Sequence, residues 1–405
     1  MKMITPILAF LFLCFGLNTN AQDIEEEASW VDIHGFISQG NLKSDEYNYL
    51  AHDAADGSFQ FNEMGINFSK QMTDKLRVGV QLFARDLGDV ANDEITIDWA
   101  YGDYRWRDWL GLRVGKIKIP RGLYNETRDM DMLRTCIILP QGIYNELLRD
   151  AYIALKGVGV YGYIPIDRLG SIEYQALAGT VSMDRENGAQ KYIDNALGIL
   201  GSLLGGSARL NGEIDVDSYY AGSVMWNLPV EGLSIKISGF QTSAELPLEL
   251  APGFTSVVHL KEMSGIIYSA EYMWEDLSLA IEYYEEKIDV LVEALMLPAL
   301  LEPQSYYMMA SYRLTEWMEF GAYYSVHYAD KNDKDGNTLL MQGLPAHWAW
   351  QKDLALSVRF DINEYWVFKL EAHSIDGTAQ VVAVDNPVRL EKDWMLFAAK
   401  VTFSF

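Results

Sequence analysis

The amino-acid sequence predicts an all-β protein, a 16-stranded antiparallel transmembrane β-barrel with short periplasmic turns, long extracellular loops and an infolded third loop. Three observations favour this fold. Apolar and polar side chains alternate in runs of about ten residues, short and long connections alternate between those runs, and the final run ends on an aromatic residue. A tilted strand of about ten residues is long enough to cross a bilayer.

Residues 1–21 predict a secretory signal peptide. Lys2 precedes an apolar run from Ile4 to Leu17, and small residues of the kind that signal peptidase reads lead up to Ala21. The alternative is an uncleaved membrane helix, but the run is shorter than the roughly 20 residues that span a bilayer. We therefore expect cleavage after Ala21, a short acidic N-terminal segment at 22–29 and a barrel at 30–405.

The composition narrows the class of protein. A formal net charge of -25 disfavours nucleic acid as a partner. Of the two cysteines, Cys14 lies in the predicted signal peptide, so Cys136 has no partner for an internal disulfide. No later run of eighteen apolar residues predicts a membrane helix, although 49% of the residues are hydrophobic. A barrel explains this composition because alternation dilutes its apolar residues; a soluble secreted domain is the alternative.

Residues 75–85 illustrate the alternation. One face of this run carries apolar side chains, and the other carries Lys75, Arg77 and Arg85. Charged residues at several positions on one face suit a water-filled interior better than a packed core, because the burial of unpaired charges is costly. We therefore expect Lys75, Arg77 and Arg85 on the lumen wall.

The connections between the runs alternate in length. Seven short turns and eight longer connections separate the runs, and these fifteen connections join sixteen strands. An even number of strands, with both ends of the chain on the short-turn side, satisfies the closure of a single-chain barrel. The longer connections are predicted at residues 41–57, 87–92, 119–146, 181–216, 243–261, 288–304, 329–351 and 375–393.

Aromatic residues support the same topology. Most tryptophans lie near a predicted short turn, and indole rings favour the membrane–water interface. The last run alternates up to the final residue, Phe405. A terminal aromatic residue resembles the signal by which bacterial outer-membrane proteins are recognised for insertion. Phe405 is thus the predicted assembly signal, and the barrel-assembly machinery is a predicted partner.

The sequence carries no specific catalytic motif. Gly157–Gly162 matches G-x-G-x-x-G without a surrounding βαβ unit, and Asp330–Gly336 resembles a calcium loop in which Lys334 occupies a ligand position. The six histidines lack metal-binding spacing, and there is no G-x-S-x-G elbow. We predict no cofactor, no metal site and no enzymatic activity, although adjacent strands could still bring a Ser–His pair together.

The predicted third long loop, 119–146, is locally basic. Six lysines and arginines lie between Arg113 and Arg134, against three acidic residues. Cations that project into a narrow lumen replace part of the hydration of a passing anion. The alternative is that Asp129 and Asp131 pair with the arginines and fix the loop to the wall. The predicted constriction residues are Arg113, Lys116, Lys118, Arg121, Arg128, Asp129 and Arg134.

Three segments of this region resemble the phosphate-selective-porin-like family of Gram-negative outer-membrane proteins. They are Leu112–Lys116 (LRVGK), Lys118–Asp129 (KIPRGLYNETRD) and Leu139–Tyr144 (LPQGIY). The resemblance implies that the third loop folds into the lumen and narrows it, as in trimeric general porins. No dense lysine cluster accompanies these segments, so the resemblance does not carry phosphate specificity with it.

The resemblance implies an outer-membrane porin that passes small hydrophilic solutes or ions by passive diffusion, with a preference for anions as one option. It also implies a homotrimer in contact with outer-membrane lipid and lipopolysaccharide. Two alternatives remain at this point: an outer-membrane barrel hydrolase, and an adhesive or structural barrel with a closed lumen.

Overall fold

The computed structural model describes residues 31–405 apart from residues 51–52, 89–91, 184–188, 190–191, 194–196, 199–200, 202–207, 252 and 384. The predicted signal peptide (1–21) and acidic segment (22–29) lie outside the described residues. Among the described residues, no helix is both long enough and apolar enough to span a bilayer.

The described chain forms one large antiparallel sheet of eighteen strands. The strands are β1 (Asp32–Ser44), β2 (Asn62–Thr73), β3 (Leu76–Asp86), β4 (Thr96–Arg107), β5 (Leu110–Lys118), β6 (Ala154–Pro165), β7 (Ser171–Thr180), β8 (Arg209–Leu210), β9 (Asp215–Asn227), β10 (Leu233–Ala251), β11 (Phe254–Trp274), β12 (Leu277–Val292), β13 (Leu297–Leu301), β14 (Gln304–Thr315), β15 (Met318–Tyr328), β16 (Trp350–Asp361), β17 (Trp366–Gly377) and β18 (Asp393–Ser404).

Sixteen of these strands close into a barrel, which confirms the predicted strand number. Each pairs with its neighbours in chain order, and β1 pairs with β18 to close the circuit. The two remaining strands, β8 and β13, are short and pair with the ends of β10 and β12. A closed barrel leaves no unpaired edge within the bilayer, which is the condition for a β-protein to span it.

Alternation sorts the side chains between lipid and lumen. In β17, Trp366 and Leu370 are exposed on the outer face, whereas Lys369 and Glu371 point inward and are buried. Other strands repeat this apolar outer face, with exposed tryptophans at the short-turn end. Because the side-chain period is two, a one-residue slip would turn the charges toward the lipid. The fold and its outer surface are those of a Gram-negative outer-membrane barrel.

The seven predicted short turns are confirmed, and two of the predicted long loops are wrong. Residues 243–261 continue β10 and β11 as a hairpin well beyond the wall, and much of 288–304 belongs to β12 and β13. Ala244, Leu246 and Leu248 alternate inward and pack in an apolar cluster, so the strand alternation continues through residues that were predicted to form a loop.

The C-terminus seals the seam between the first and last strands. Phe405 exchanges two backbone hydrogen bonds of 3.0 Å with Gly35. Its ring covers the same glycine, where a Cβ atom would lie 2.5 Å from the ring. Gly35 therefore leaves room for the terminal ring; the role of Phe405 as an assembly signal remains a prediction.

We expect the apolar outer face to tolerate charge only at its edges. Leu356 is 58% exposed near mid-height on β16, and its replacement by Arg should lower the free energy of unfolding by about 2–4 kcal/mol. The matched substitution Ile362→Arg, in the following turn, should cost about 0–1 kcal/mol. Denaturant titration in lipid vesicles measures both values. Equal costs at the two sites would contradict the assignment of this face to lipid.

Candidate functional site: a loop across the lumen

The third long loop leaves the wall after β5 and returns at β6, so it spans residues 119–153 rather than the predicted 119–146. It contains three short helical turns, at Asn125–Thr127, Asp131–Leu133 and Arg149–Tyr152. Its backbone has little regular structure of its own and must therefore find hydrogen-bond partners elsewhere. Those partners come from the inward-facing side chains of the barrel wall.

A glycine lets the loop pass close to the wall. Gly122 has a φ of +55°, and a Cβ atom there would lie 2.3 Å from the Tyr144 hydroxyl and 2.8 Å from Oε1 of Glu282. Its N–H donates to Oγ of Ser238 on β10 at 2.8 Å. Only a residue without a side chain fits both the space and the backbone angle.

Glu282 on β12 is the central acceptor on one side of the lumen. One of its carboxylate oxygens accepts from the backbone N–H of Leu123 at 2.8 Å and from the hydroxyl of Ser269 at 2.6 Å. The other accepts from the hydroxyls of Tyr144 at 2.5 Å and Tyr307 at 2.8 Å. The carboxylate is fully buried, and four donors compensate for the loss of its hydration.

Glu371 on β17 has the same role at a second part of the wall. Its two oxygens accept from the consecutive backbone N–H groups of Ile137 and Ile138, at 2.7 and 2.9 Å. The ring of His373 lies 3.0 Å from one of them. Two wall carboxylates on non-adjacent strands thus hold two separate parts of the loop.

Asp131 of the loop sits in a group of wall cations. Its carboxylate lies 3.0 Å from the ammonium of Lys369 and 3.5 Å from that of Lys400, and it accepts from Thr402 at 2.7 Å. Burial raises the pKa of Asp131, but the nearby charges of Lys369, Lys400 and Arg134 outweigh burial and hold it well below its usual range. Asp131 is therefore ionised at neutral pH and fixes the loop to β17 and β18.

A second ion-pair group links the loop to β3. Glu146 lies 2.9 Å from the guanidinium of Arg128 and 3.1 Å from that of Arg85. Burial raises the pKa of Glu146, and the two arginines lower it to about 2, so this carboxylate is also ionised at neutral pH. Both arginines are almost fully buried, which leaves neither free to meet a solute.

Arg121 lies in an aromatic box inside the lumen. Its guanidinium carbon is 4.3 Å from the ring of Tyr152, 4.4 Å from that of Tyr284 and 5.3 Å from that of Phe240. It also donates to the backbone carbonyl of Ile143 at 3.3 Å. Cation–π contacts of this kind stabilise a desolvated guanidinium. Arg121 thus packs the loop against β10 and β12 instead of facing an aqueous path.

The loop is packed against the inner wall at many points. The loop contacts strands spread around the circuit, namely β3, β10, β12, β15, β16, β17 and β18. Around these contacts, buried side chains form two large apolar clusters, and loop residues belong to both: Leu139 and Ile143 to one, Ile137 and Ile138 to the other. In the described part of the chain, these clusters fill the space between the loop and much of the wall.

A polar vestibule lies at the short-turn end of the lumen, below the plug that residues 119–153 form. Arg77 is exposed there and donates to Oγ of Ser69 at 2.9 Å. Arg113 is 3.0 Å from Asp103 and stacks 4.3 Å from the ring of Tyr161. The exposed and half-exposed charges of this layer suit water and small ions, unlike the apolar packing above them.

Six of the seven predicted constriction residues lie inside the barrel, in two groups. Arg121, Arg128, Asp129 and Arg134 lie in the plug, where Arg134 is 3.7 Å from Asp131. Lys118 joins them, because its ammonium is 2.5 Å from Asp129. Arg113 faces the vestibule. Of the predicted wall residues, Arg77 and Arg85 point inward as expected.

Two predicted positions are wrong. Lys75 lies in the exposed turn between β2 and β3, beyond the end of the wall. Lys116 points outward, because alternation in β5 sends Arg113 and Ile117 into the lumen and places Lys116 on the same face as the exposed Val114. Neither lysine contributes to a constriction.

The residues that hold the loop were not singled out from the sequence. Glu282, Lys369, Glu371 and Lys400 all occupy polar positions of alternating runs, and all are buried. The sequence feature that could have identified them is a charged residue at a position that alternation directs into the lumen. The sequence could not show which loop atoms each of them meets.

One Ser–His pair does form between adjacent strands. Oγ of Ser305 on β14 lies 2.9 Å from Nδ1 of His327 on β15. Within the described part of the chain, no carboxylate oxygen lies within hydrogen-bonding reach of the His327 ring, and Ser305 is 1% exposed beneath Gly142 of the loop. The described residues also contain no group of three or more potential ligands arranged for a metal ion.

No protein-family model and no curated protein matches the chain. The similar solved structures include OmpF of Salmonella typhi in complex with daunomycin (TM-score 0.57, 11% identity, 95% of this chain and 100% of that one). They also include an anion-selective porin from Comamonas acidovorans (0.55, 12%, 93% and 100%) and a trimer form of OmpT from Vibrio cholerae (0.53, 12%, 94% and 100%). At this identity the likeness shows the barrel fold.

We expect Glu282 to control the opening of the loop, with Cys136 as a built-in reporter. Cys136 is a buried free thiol of the loop, and burial raises its pKa to about 12, so it should react with a small maleimide only when the loop leaves the lumen. Glu282→Ala leaves four donors without an acceptor and should raise the labelling rate at least about tenfold.

The control is Glu285→Ala, which removes a carboxylate from the outer face of the same strand. Heat-modifiable gel migration identifies the folded fraction of each variant. Glu282→Gln keeps an acceptor in place and should label more slowly than Glu282→Ala. If Glu282→Ala and Glu285→Ala label at the same rate, Glu282 does not hold the loop.

Proposed function

We propose that the protein is a porin-like outer-membrane channel for the passive diffusion of small hydrophilic solutes or ions, and that loop 119–153 is its gate. One observation carries the proposal: a closed 16-strand barrel contains an infolded loop that side-chain contacts, rather than covalent bonds, hold in place. A loop held in this way can move without breaking the wall.

The vestibule supports the same proposal. Charged side chains line the periplasmic end of the lumen up to the level of the loop, and a structural barrel has no need of such a wetted layer. On this proposal the described conformation is closed, and passage requires a shift of the loop segments that meet Glu282 and Glu371.

The second candidate is a structural or adhesive barrel with a closed lumen. The observation that favours it is the burial of the loop around the whole circuit, including all its arginines except the partly buried Arg134. A barrel hydrolase has less support. Its only local feature among the described residues is the Ser305–His327 pair, which lacks an orienting carboxylate and lies beneath the loop.

Any preference for anions would come from the vestibule rather than from the loop. Arg128 and Arg134 are paired with carboxylates, and Arg121 is enclosed by rings. Arg77 is exposed, and no described carboxylate oxygen lies within 4 Å of its guanidinium. Phosphate specificity receives no support from this arrangement.

The remaining assignments complete the proposal. We propose export by the signal peptide at 1–21, insertion by the barrel-assembly machinery through Phe405, and contact with outer-membrane lipid and lipopolysaccharide. A homotrimer is proposed on the likeness to a structure described as a trimer form. We propose no cofactor and no catalytic step.

Planar-bilayer conductance tests the gate. The purified wild-type protein should give rare, brief openings, since the loop is closed at equilibrium. Glu282→Ala should raise the open probability by about the same factor as the labelling rate of Cys136, because both report one equilibrium. The Glu285→Ala protein should behave as wild type. A complete lack of discrete steps in wild type and Glu282→Ala alike would favour the closed structural barrel.

Reversal potential in a salt gradient separates loop charges from vestibule charges. We expect Arg77→Gln to shift the potential toward cation preference, since it removes an exposed, unpaired positive charge from the aqueous path. Neutral replacement of Arg128 should change stability and open probability but leave the reversal potential of open channels unchanged. A shift with Arg128 and none with Arg77 would place the selective charge in the loop.

A further inference from the structure

Lys116 and Lys156 form a like-charged pair on the outer face of the wall. They stand directly opposite each other on β5 and β6, two residues from the ends of these strands at the long-loop side. Their neighbours on the same face are Val114, which is 61% exposed, and Val158, which is 55% exposed. The pair therefore stands at the upper edge of the lipid-facing band.

Such a pair is unfavourable by itself. Like charges directly opposite each other destabilise a sheet, and cations on a lipid-facing surface are costly. The Lys116 ammonium donates to the backbone carbonyl of Ile97 at 2.5 Å, and that of Lys156 donates to Oγ of Ser182 at 2.8 Å. These oxygens are uncharged, and in the described part of the chain no carboxylate oxygen lies within 4 Å of either ammonium.

The carboxylates behind this part of the wall are already neutralised. Asp98 is buried and lies 2.8 Å from the guanidinium of Arg149. Asp150 lies 3.4 Å from Arg85 and 3.9 Å from Arg149. The excess positive charge of the two lysines is therefore left to a group outside the described chain.

We propose that Lys116 and Lys156 bind the phosphate of a lipid in the outer leaflet. Each ammonium has three donors on a flexible stem that can reach up to the headgroup level, and one phosphate between them would relieve their repulsion. The apolar side chains just below, Val114 and Val158, would contact the acyl chains of the same molecule. A lipid carries a phosphate and acyl chains in one molecule, which matches a lysine and a valine two residues apart on the same face of a strand. A free anion carries only the charge.

This site is independent of the proposed channel, because it uses the opposite face of the wall. The site lies on the lipid-facing surface of the barrel, and it would bind lipid even if the barrel conducts no ions. A failure of the conductance experiments would leave it untouched.

Native mass spectrometry of the folded, detergent-solubilised protein tests the site. The protein is mixed with lipid A, with lipid A freed of its phosphates, or with lipid A in the presence of inorganic phosphate. We expect wild type to retain lipid A, and the double variant K116Q/K156Q to bind it about 30-fold more weakly, at roughly fivefold per lysine. K116R/K156R should retain binding because it keeps both charges.

The matched control is K352Q/K392Q, which removes two outer cations that already pair with Asp376. It should lose little affinity, and dephosphorylated lipid A should bind the wild type as weakly as lipid A binds K116Q/K156Q. Heat-modifiable migration checks that each variant is folded. The proposal is overturned if K116Q/K156Q and the control bind lipid A equally, or if millimolar inorganic phosphate displaces the lipid.

Discussion

The position of the third loop depends on buried carboxylates of the wall that accept hydrogen bonds from loop backbone. A loop without regular structure cannot enter a barrel unless its N–H groups find acceptors, and a carboxylate cannot be buried unless it finds donors. Glu282 and Glu371 meet both requirements at once. The carboxylates accept hydrogen bonds from the loop N–H groups, and these N–H groups replace the lost hydration of the carboxylates. The loop can therefore enter the lumen without a large desolvation cost to either group.

Most of the positive charge of the loop is neutralised by nearby acidic residues. The sequence has a net charge of -25 and a locally basic third loop, which would suggest a free positive constriction. In the structure most of those cations balance acids within the loop or near it, as in the pairs Arg128–Glu146 and Lys118–Asp129. Removal of one partner from such a pair is far more costly than the pair is worth, so these residues act as structural elements.

The barrel could be predicted from the sequence because its signal is local. A period of two, read within one run such as Trp366–Gly377, fixes which side chains face the lumen. The loop could not be placed in this way. Its contacts join residues far apart in sequence, for example Ile138 with Glu371, and no periodicity encodes them. The prediction that Lys116 lies at the constriction was wrong for another reason. Lys116 is close to Arg113 in sequence, but strand alternation places the two side chains on opposite faces of β5.

The loop and its anchors are widely separated along the chain, which has a consequence for the order of assembly. Asp131 is held by Lys400 and Thr402 of β18, the last strand of the barrel in chain order. Loop-closure entropy is paid before such distant contacts can form. The lumen therefore cannot be sealed until the first and last strands have met at Gly35 and Phe405. The loop can therefore be fully docked only in a completely folded barrel. In a partly inserted chain that lacks β18, the contacts of Asp131 with Lys400 and Thr402 cannot form.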